Sequence, residues 1–221
     1  MPFLAAPVMR WLAPAVLWAG LAAQAPPPGP APALEKATAF ERAVVQEMSD
    51  ARVRPRAYAK YLREMRGWFE GTLWKRPGRT PLRTEEGLAA LDEAIAFLEA
   101  ARPVGPLRFN EGLAQVARLH AQDLGPRGGL EHVGSDGAHL STRANRLGTW
   151  SGTIAENIGT LEEDARQLVI QLLVDDGVRE RGHRLNLFNP DLHQAGAGSA
   201  PHRDYRTVTV IDYATGFTLN P

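Results

Sequence analysis

The sequence predicts an α+β domain on three observations. Apolar residues recur at helical spacing in successive segments from Phe40 to Leu173. The two segments with strand-like alternation, Gln194 to Ser199 and Thr207 to Tyr213, come together near the C-terminus. Helices followed by strands point to α+β architecture rather than to an alternating α/β one. The chain has 221 residues, 44% of them hydrophobic, enough for one medium-sized domain with a substantial core.

In chain order, residues 1–25 read as a signal peptide: Arg10 supplies a positive start, and the apolar run Trp11 to Ala23 is too short to span a bilayer. The mature protein is therefore expected to be secreted or periplasmic, with no stable membrane span after cleavage. Residues 26–33 form a linker, where five prolines between Pro26 and Pro32 favour an extended path without a core. The folded domain is expected over residues 34–221. Phe40, Val44, Val45 and Met48 share a helical face; Ser49 to Pro55 breaks the pattern, and Tyr58, Tyr61 and Leu62 resume it in a second short helix. Residues 67–83 read as a loop, whose aromatics Trp68, Phe69 and Trp74 are expected to pack onto the domain.

Thr84 is the expected N-cap of a helix with Glu85 and Glu86 in its first turn and Leu88, Leu91, Ile95 and Leu98 on one face. Asn110 caps the next, where Leu113, Val116, Ala117 and His120 share a stripe and Gly125 ends it. On that stripe His120 reads as a hydrogen-bonded core residue. The loop from Gly125 to Gly137 carries His132 off any apolar stripe, with Ser135 or Asp136 available to cap the following helix of Leu140, Ala144 and Leu147. Glu156 stands among Ile154, Ala155 and Ile158, and a carboxylate between apolar residues needs a partner. Thr160 to Glu163 has the form of a capping box for the helix of Leu168, Val169, Leu172 and Leu173, which delivers the chain to Asp175. The last two segments read as a hairpin turning around Pro201 to Asp204.

Lys+Arg and Asp+Glu are both 25, so no whole-chain field favours nucleic acid or an anionic membrane. The absence of cysteine excludes disulfides, thiolate metal sites and cysteine nucleophiles. There is no His-Glu-x-x-His helix, no Gly-x-Ser-x-Gly elbow and no phosphate loop. What stands out is the polar stretch from Asp175 to Pro190, which sets His183 among carboxylates and guanidinium groups at a junction between elements, where sites tend to lie. With His132 and Glu156 it forms a set of imidazoles and carboxylates that suits a divalent cation such as zinc, and equally suits acid/base work.

Leu-Glu-His-Val-Gly-Ser-Asp-Gly (130–137), Ala-Glu-Asn-Ile-Gly (155–159), Arg-Gly-His-Arg-Leu-Asn-Leu-Phe-Asn-Pro (181–190) and Ala-Gly-Ala-Gly (195–198) appear in that order. Together they resemble the CAP superfamily of cysteine-rich secretory, antigen 5 and pathogenesis-related 1 proteins, in particular its bacterial SCP-like extracellular branch. The resemblance covers roughly residues 38 to 215. It implies an α-β-α sandwich with a small antiparallel sheet between helices, and a central cleft holding two histidines and two acids. His132, Glu156 and His183 match three of these positions. At the fourth, Asp175 stands where the family has a glutamate, and Leu172 replaces the tryptophan three residues before it. Ser49 likewise replaces the asparagine usual near the first helix.

The resemblance implies a non-enzymatic binding module whose cleft takes a divalent cation, with His132, His183 and Glu156 as candidate ligands, or takes a small molecule, lipid or envelope component. One alternative is a metal-assisted hydrolase of peptidase type with Glu156 as general base. A serine version would combine Ser135 with His183. A further alternative is a structural or adhesive envelope protein in which the polar set is a buried hydrogen-bond network.

Overall fold

The computed structural model describes residues 36–160 and 164–220. The expected signal peptide (1–25) and linker (26–33) lie outside the described residues, as do Leu161, Glu162 and Glu163. The described chain runs α1 (Ala39–Val53), α2 (Pro55–Met65), β1 (Phe69–Glu70), β2 (Leu73–Trp74), β3 (Leu82–Arg83), α3 (Leu88–Ala100), β4 (Arg108–Phe109) and α4 (Glu111–Arg127). It continues with α5 (Leu140–Leu147), β5 (Gly148–Thr160), α6 (Ala165–Val174), α7 (Gly182–Phe188), β6 (Gln194–His202) and β7 (Arg206–Leu219). The α+β class and the C-terminal hairpin are as expected.

The main sheet has the order β4-β6-β7-β5, with β4 parallel to β6 and the other pairs antiparallel. Side chains alternate across it, so each long strand serves two layers. Ile158, Val208 and Val210 meet Ala117, Ala121 and Leu124 of α4. On the other face Ala195, Ala197, Ile211 and Tyr213 join the large core built from α1, α2, α3 and α6. The result is an α-β-α sandwich.

The Ala-Gly-Ala-Gly motif has a physical cause in this arrangement. Ala195 and Ala197 face the large core, whereas Gly196 and Gly198 face α4, which lies directly on the strand. A Cβ at Gly196 would stand 2.0 Å from the Ala114 nitrogen, and one at Gly198 2.1 Å from the Arg118 nitrogen. No larger residue fits at either position without moving the helix.

Several local expectations change. Helix α1, capped by a Thr38/Glu41 capping box, continues through Ser49 to Val53. The Ser49 hydroxyl donates to Val45 O and so remains compatible with the helix, and the break falls at Pro55, which opens α2 at its first position. Residues 67–83 contain the small antiparallel sheet β1-β2-β3, with Phe69 stacked on the buried Trp74. Gly87, not Thr84, precedes α3; the Glu85 and Glu86 N–H groups donate instead to the carboxylate of the distant Asp176, at 2.7 and 2.9 Å.

Asn110 caps α4 as expected, but the helix passes Gly125 and ends at Gly128, in the left-handed conformation. His139 precedes α5 without a side-chain cap, because Ser135 donates to Asp123 and Asp136 accepts from the Ala138 N–H within the loop. Asp164 caps α6 through the Gln167 N–H, while Thr160 ends β5 and so is not the cap. A long strand for which the sequence predicts no element is β5, which starts at Gly148. Its first half has the Gly, Ser and Thr composition of a turn and is irregular between Ser151 and Ile154.

Candidate functional site

Glu156 and Asn157 are neighbours on β5 and therefore point to opposite faces of the sheet. Glu156 faces the α4 side, where its Oε1 accepts from His132 Nδ1 at 2.8 Å and its Oε2 pairs with the Arg143 guanidinium. The partner that an isolated carboxylate required is thus an arginine of α5. Arg143 also donates to His132 O, at 2.8 Å, and to Ala138 O, holding the loop that presents His132. His120 secures the same loop by bonding Glu131 O through Nε2, and that nitrogen lies 3.9 Å from Glu156 Oε1. The stripe histidine is a buried hydrogen-bonded residue, as read, and it adjoins the site.

Behind Glu156 stands Asp212 of β7, directly opposite it in register and fully buried. Among the described residues no donor reaches either of its oxygens. The neighbour able to bond it is the Glu156 carboxylate, which requires Asp212 to hold a proton. Burial, and then the Glu156 charge, push the Asp212 carboxyl well above the usual range. Burial alone would also raise Glu156, but the His132 hydrogen bond and the Arg143 and His120 charges hold it below its ordinary value. The hydrogen bond to Glu156 raises His132, against its partial burial.

The second dyad is built by a tight loop. The chain leaves α6 through Asp175 at φ 54° and enters α7 through Arg181 at φ 51°, two non-glycine residues in the left-handed region. This path returns the Asp175 carboxylate onto the first turn of α7. Its Oδ2 accepts from the His183 N–H at 2.9 Å and its Oδ1 meets His183 Nδ1 at 2.6 Å. Arg181 fastens the loop to Glu86, Glu93 and the Asp175 carbonyl, while Asp176 fastens it to the start of α3. Hydrogen bonds from Arg181 hold the Glu86 and Glu93 carboxyls down to about 2.

Asn157, on the opposite face from Glu156, joins the halves by donating to His183 O and to the Tyr213 hydroxyl. Asn186 of α7 donates to Asn157 Oδ1 and to Glu156 O. Farther back, the buried Arg52 donates to Gly105 O, Leu187 O, Asn189 O and Leu192 O, clamping the end of α7 onto α1.

The structure therefore places the four sequence-predicted residues in two dyads, His132–Glu156 and His183–Asp175. The acids are buried, with side chains 3% and 2% exposed, while the imidazoles are 57% and 25% exposed. Each ring bonds its acid through Nδ1, so Nε2 is the nitrogen left for a ligand. Ser135 pairs with Asp123 rather than with a histidine, which removes the serine arrangement. Among the described residues no group of three or more His, Cys, Asp or Glu side chains is gathered for a metal ion. Glu156 does not fit as a metal ligand, because a guanidinium and an imidazole already occupy its oxygens. Carboxylate-oriented imidazoles are common metal donors, and each Nε2 is the ring atom left for that role; His132 lines a recess with Ile154, Glu156 and Asn186, and His183 a separate one with Ile158 and Leu172.

The sequence model of the CAP family, described as the cysteine-rich secretory protein family, matches residues 49–213. No curated protein matches the chain in sequence. Among solved structures, an extracellular protein containing a SCP domain from Bacillus anthracis is 22% identical over 50% of this chain and 34% of its own, with a TM-score of 0.40. The chain thus spans about a third of that protein's length. An outer surface protein of Borrelia burgdorferi is 19% identical over 50% of this chain and 78% of its own, with a TM-score of 0.43. A cysteine-rich secretory protein of Staphylococcus aureus is 16% identical over 64% and 44%, with a TM-score of 0.37. No helix among the described residues is long and apolar enough to cross a membrane. With the family match spanning more than half of its length, the chain belongs to the CAP, cysteine-rich secretory protein, family.

Proposed function

We propose that this protein is an exported CAP-domain binding module whose cleft captures its ligand through His132 and His183. The observation that carries the reading is the arrangement of the dyads: a buried carboxylate fixes each partly exposed ring through Nδ1, which leaves Nε2 as the nitrogen free to meet a ligand. A group used only for packing would need no such orientation. A divalent cation such as zinc would be held by the two imidazoles, with Glu156 and Asp175 orienting them; it would supply a Lewis-acid contact for an anionic or carbonyl group of the ligand.

A hydrolytic reading with Glu156 as general base is weaker. A base needs a free oxygen and a proton affinity near the working pH, whereas Glu156 has both oxygens engaged and is held below its ordinary value.

The reading predicts that Asp175→Asn and Glu156→Gln weaken zinc uptake about 10–100-fold without abolishing it, the range expected when an orienting carboxylate is lost. Equilibrium titration against a fluorescent zinc chelator, with folding checked by circular dichroism, measures this. Unchanged affinity in both folded variants would remove the orienting role and leave a structural hydrogen-bond network.

A further inference from the structure

Beside His183 lies an apolar pocket of about 390 Å³, walled by Trp74, Leu82 and Leu91 on one side and by Leu130, Ile158 and Leu172 on the other. Its volume is that of a small-molecule or side-chain site. Its walls include residues of two outer strands. β5 is the last strand of the main sheet and β3 the last of the small sheet, and Ile158 to Thr160 and Leu82 to Arg83 line the pocket.

In an antiparallel pair, alternate residues turn both backbone polar groups towards the partner strand or away from it. Glu156 O is bonded on the outer side by Asn186, and Thr160 N on the outer side by Gln171. Ile158, midway between them and of the same parity, therefore presents its N–H and C=O outward. The Thr84 N–H bonds inward to Thr72 O, so Arg83, one residue before it, faces outward in the same way. Asn186 of α7 and Gln171 bond the β5 edge on either side of Ile158, and among the described residues no side chain bonds the outward groups of Ile158 itself, although exposed edges are normally covered. The Trp74 indole N–H is a third unused group: it is buried and has no hydrogen-bond partner among the described residues.

We infer that the cleft takes an extended peptide segment, which adds to the β5 edge at Ile158 and places an apolar side chain in the pocket beside His183. The inference rests on the reading of the cleft as a binding site and names the ligand class. Strand addition obtains affinity from main-chain hydrogen bonds and specificity from a pocket for alternate side chains, and both parts are here. An aliphatic chain would fill the same apolar space but would cover Ile158, Arg83 and Trp74 without bonding their polar groups, which is unfavourable. A peptide supplies acceptors for the N–H groups and donors for the carbonyls.

The test is a titration of the whole domain, followed by amide NMR, with an acetylated and amidated pentapeptide alternating threonine and leucine. Saturable binding with shifts at the Ile158 and Arg83 amides is expected. N-methylating the central leucine amide is expected to weaken binding about tenfold, the effect of losing one main-chain hydrogen bond. Ile158→Pro, checked for folding because it also removes a side chain of the pocket wall and of the α4-side core, deletes the outward N–H and should weaken binding at least to the same degree. Binding indifferent to N-methylation, or laurate binding in the pocket with no peptide binding, would overturn the inference. Zinc uptake separates the two levels of argument: if it persists while the peptide fails, the ligand class falls and the binding cleft stands.

Discussion

Replacing Asp212 by asparagine should remove a pH-dependent destabilisation from the fold. Asp212 is fully buried on β7, no donor among the described residues reaches it, and the neighbouring Glu156 carboxylate is kept ionised by Arg143 and His132. In the native state its carboxyl is therefore raised well above the usual range, by burial first and by Glu156 second. The unfolded chain gives up that proton at about 3.9. Between the unfolded and folded values the native protein binds one proton more than the unfolded chain. This group's stabilisation is complete below the unfolded value and is lost as pH rises, by about 1.4 kcal/mol per pH unit, until the folded value is passed.

Asparagine has the same shape, donates to Glu156 and does not titrate. Urea unfolding of both proteins at several values above about pH 5 should show Asp212→Asn gaining on wild type at that slope. Glu156, with its lowered pKa, acts in the opposite sense: its stabilisation is present above its unfolded value and lost in acid, below the measured range. His132 titrates in both proteins and so largely cancels in the difference. A stability difference that stays flat across the range would refute the assignment of a proton to Asp212.

Other consequences follow from single contacts. Arg52→Met leaves the carbonyls of Leu187 and Leu192 buried without their donor and removes two further, part-buried bonds; urea unfolding should show a cost of about 1–3 kcal/mol per buried carbonyl. Gly198→Ala drives a methyl group into the α4 backbone and should cost about 1–3 kcal/mol by the same assay, whereas a change at the exposed Gly78, where a Cβ meets nothing, tests only local backbone conformation. Arg181→Ala frees the 175–181 loop from Glu86 and Glu93; amide hydrogen exchange there should rise while that of β6 and β7 stays unchanged.

The sequence made most helices legible because their apolar stripes are uninterrupted, and it made His132, Glu156 and His183 legible through motifs. The missed features all depend on residues distant in the chain. Thr84 carried a sound local cap signal, but the donors at the start of α3 face Asp176, about ninety residues away, so the distant carboxylate took the role. The role of Arg52 leaves no local trace, because nothing near it in the sequence reveals that four carbonyls converge on it. β5 was obscured by its turn-like first half, where pairing with β7 overrides local preference. Asp212 did leave a signal: it falls on the same strand face as Val208 and Val210, where a carboxyl group is out of place unless it has a partner.

The central claim is that two carboxylate-oriented imidazoles make the cleft a binding site. Isothermal titration of the domain with zinc, repeated on a folded His132→Ala/His183→Ala double variant, addresses it most directly. The account predicts saturable binding in the wild type and none in the variant. Binding of equal strength in both proteins, or in neither, would contradict it.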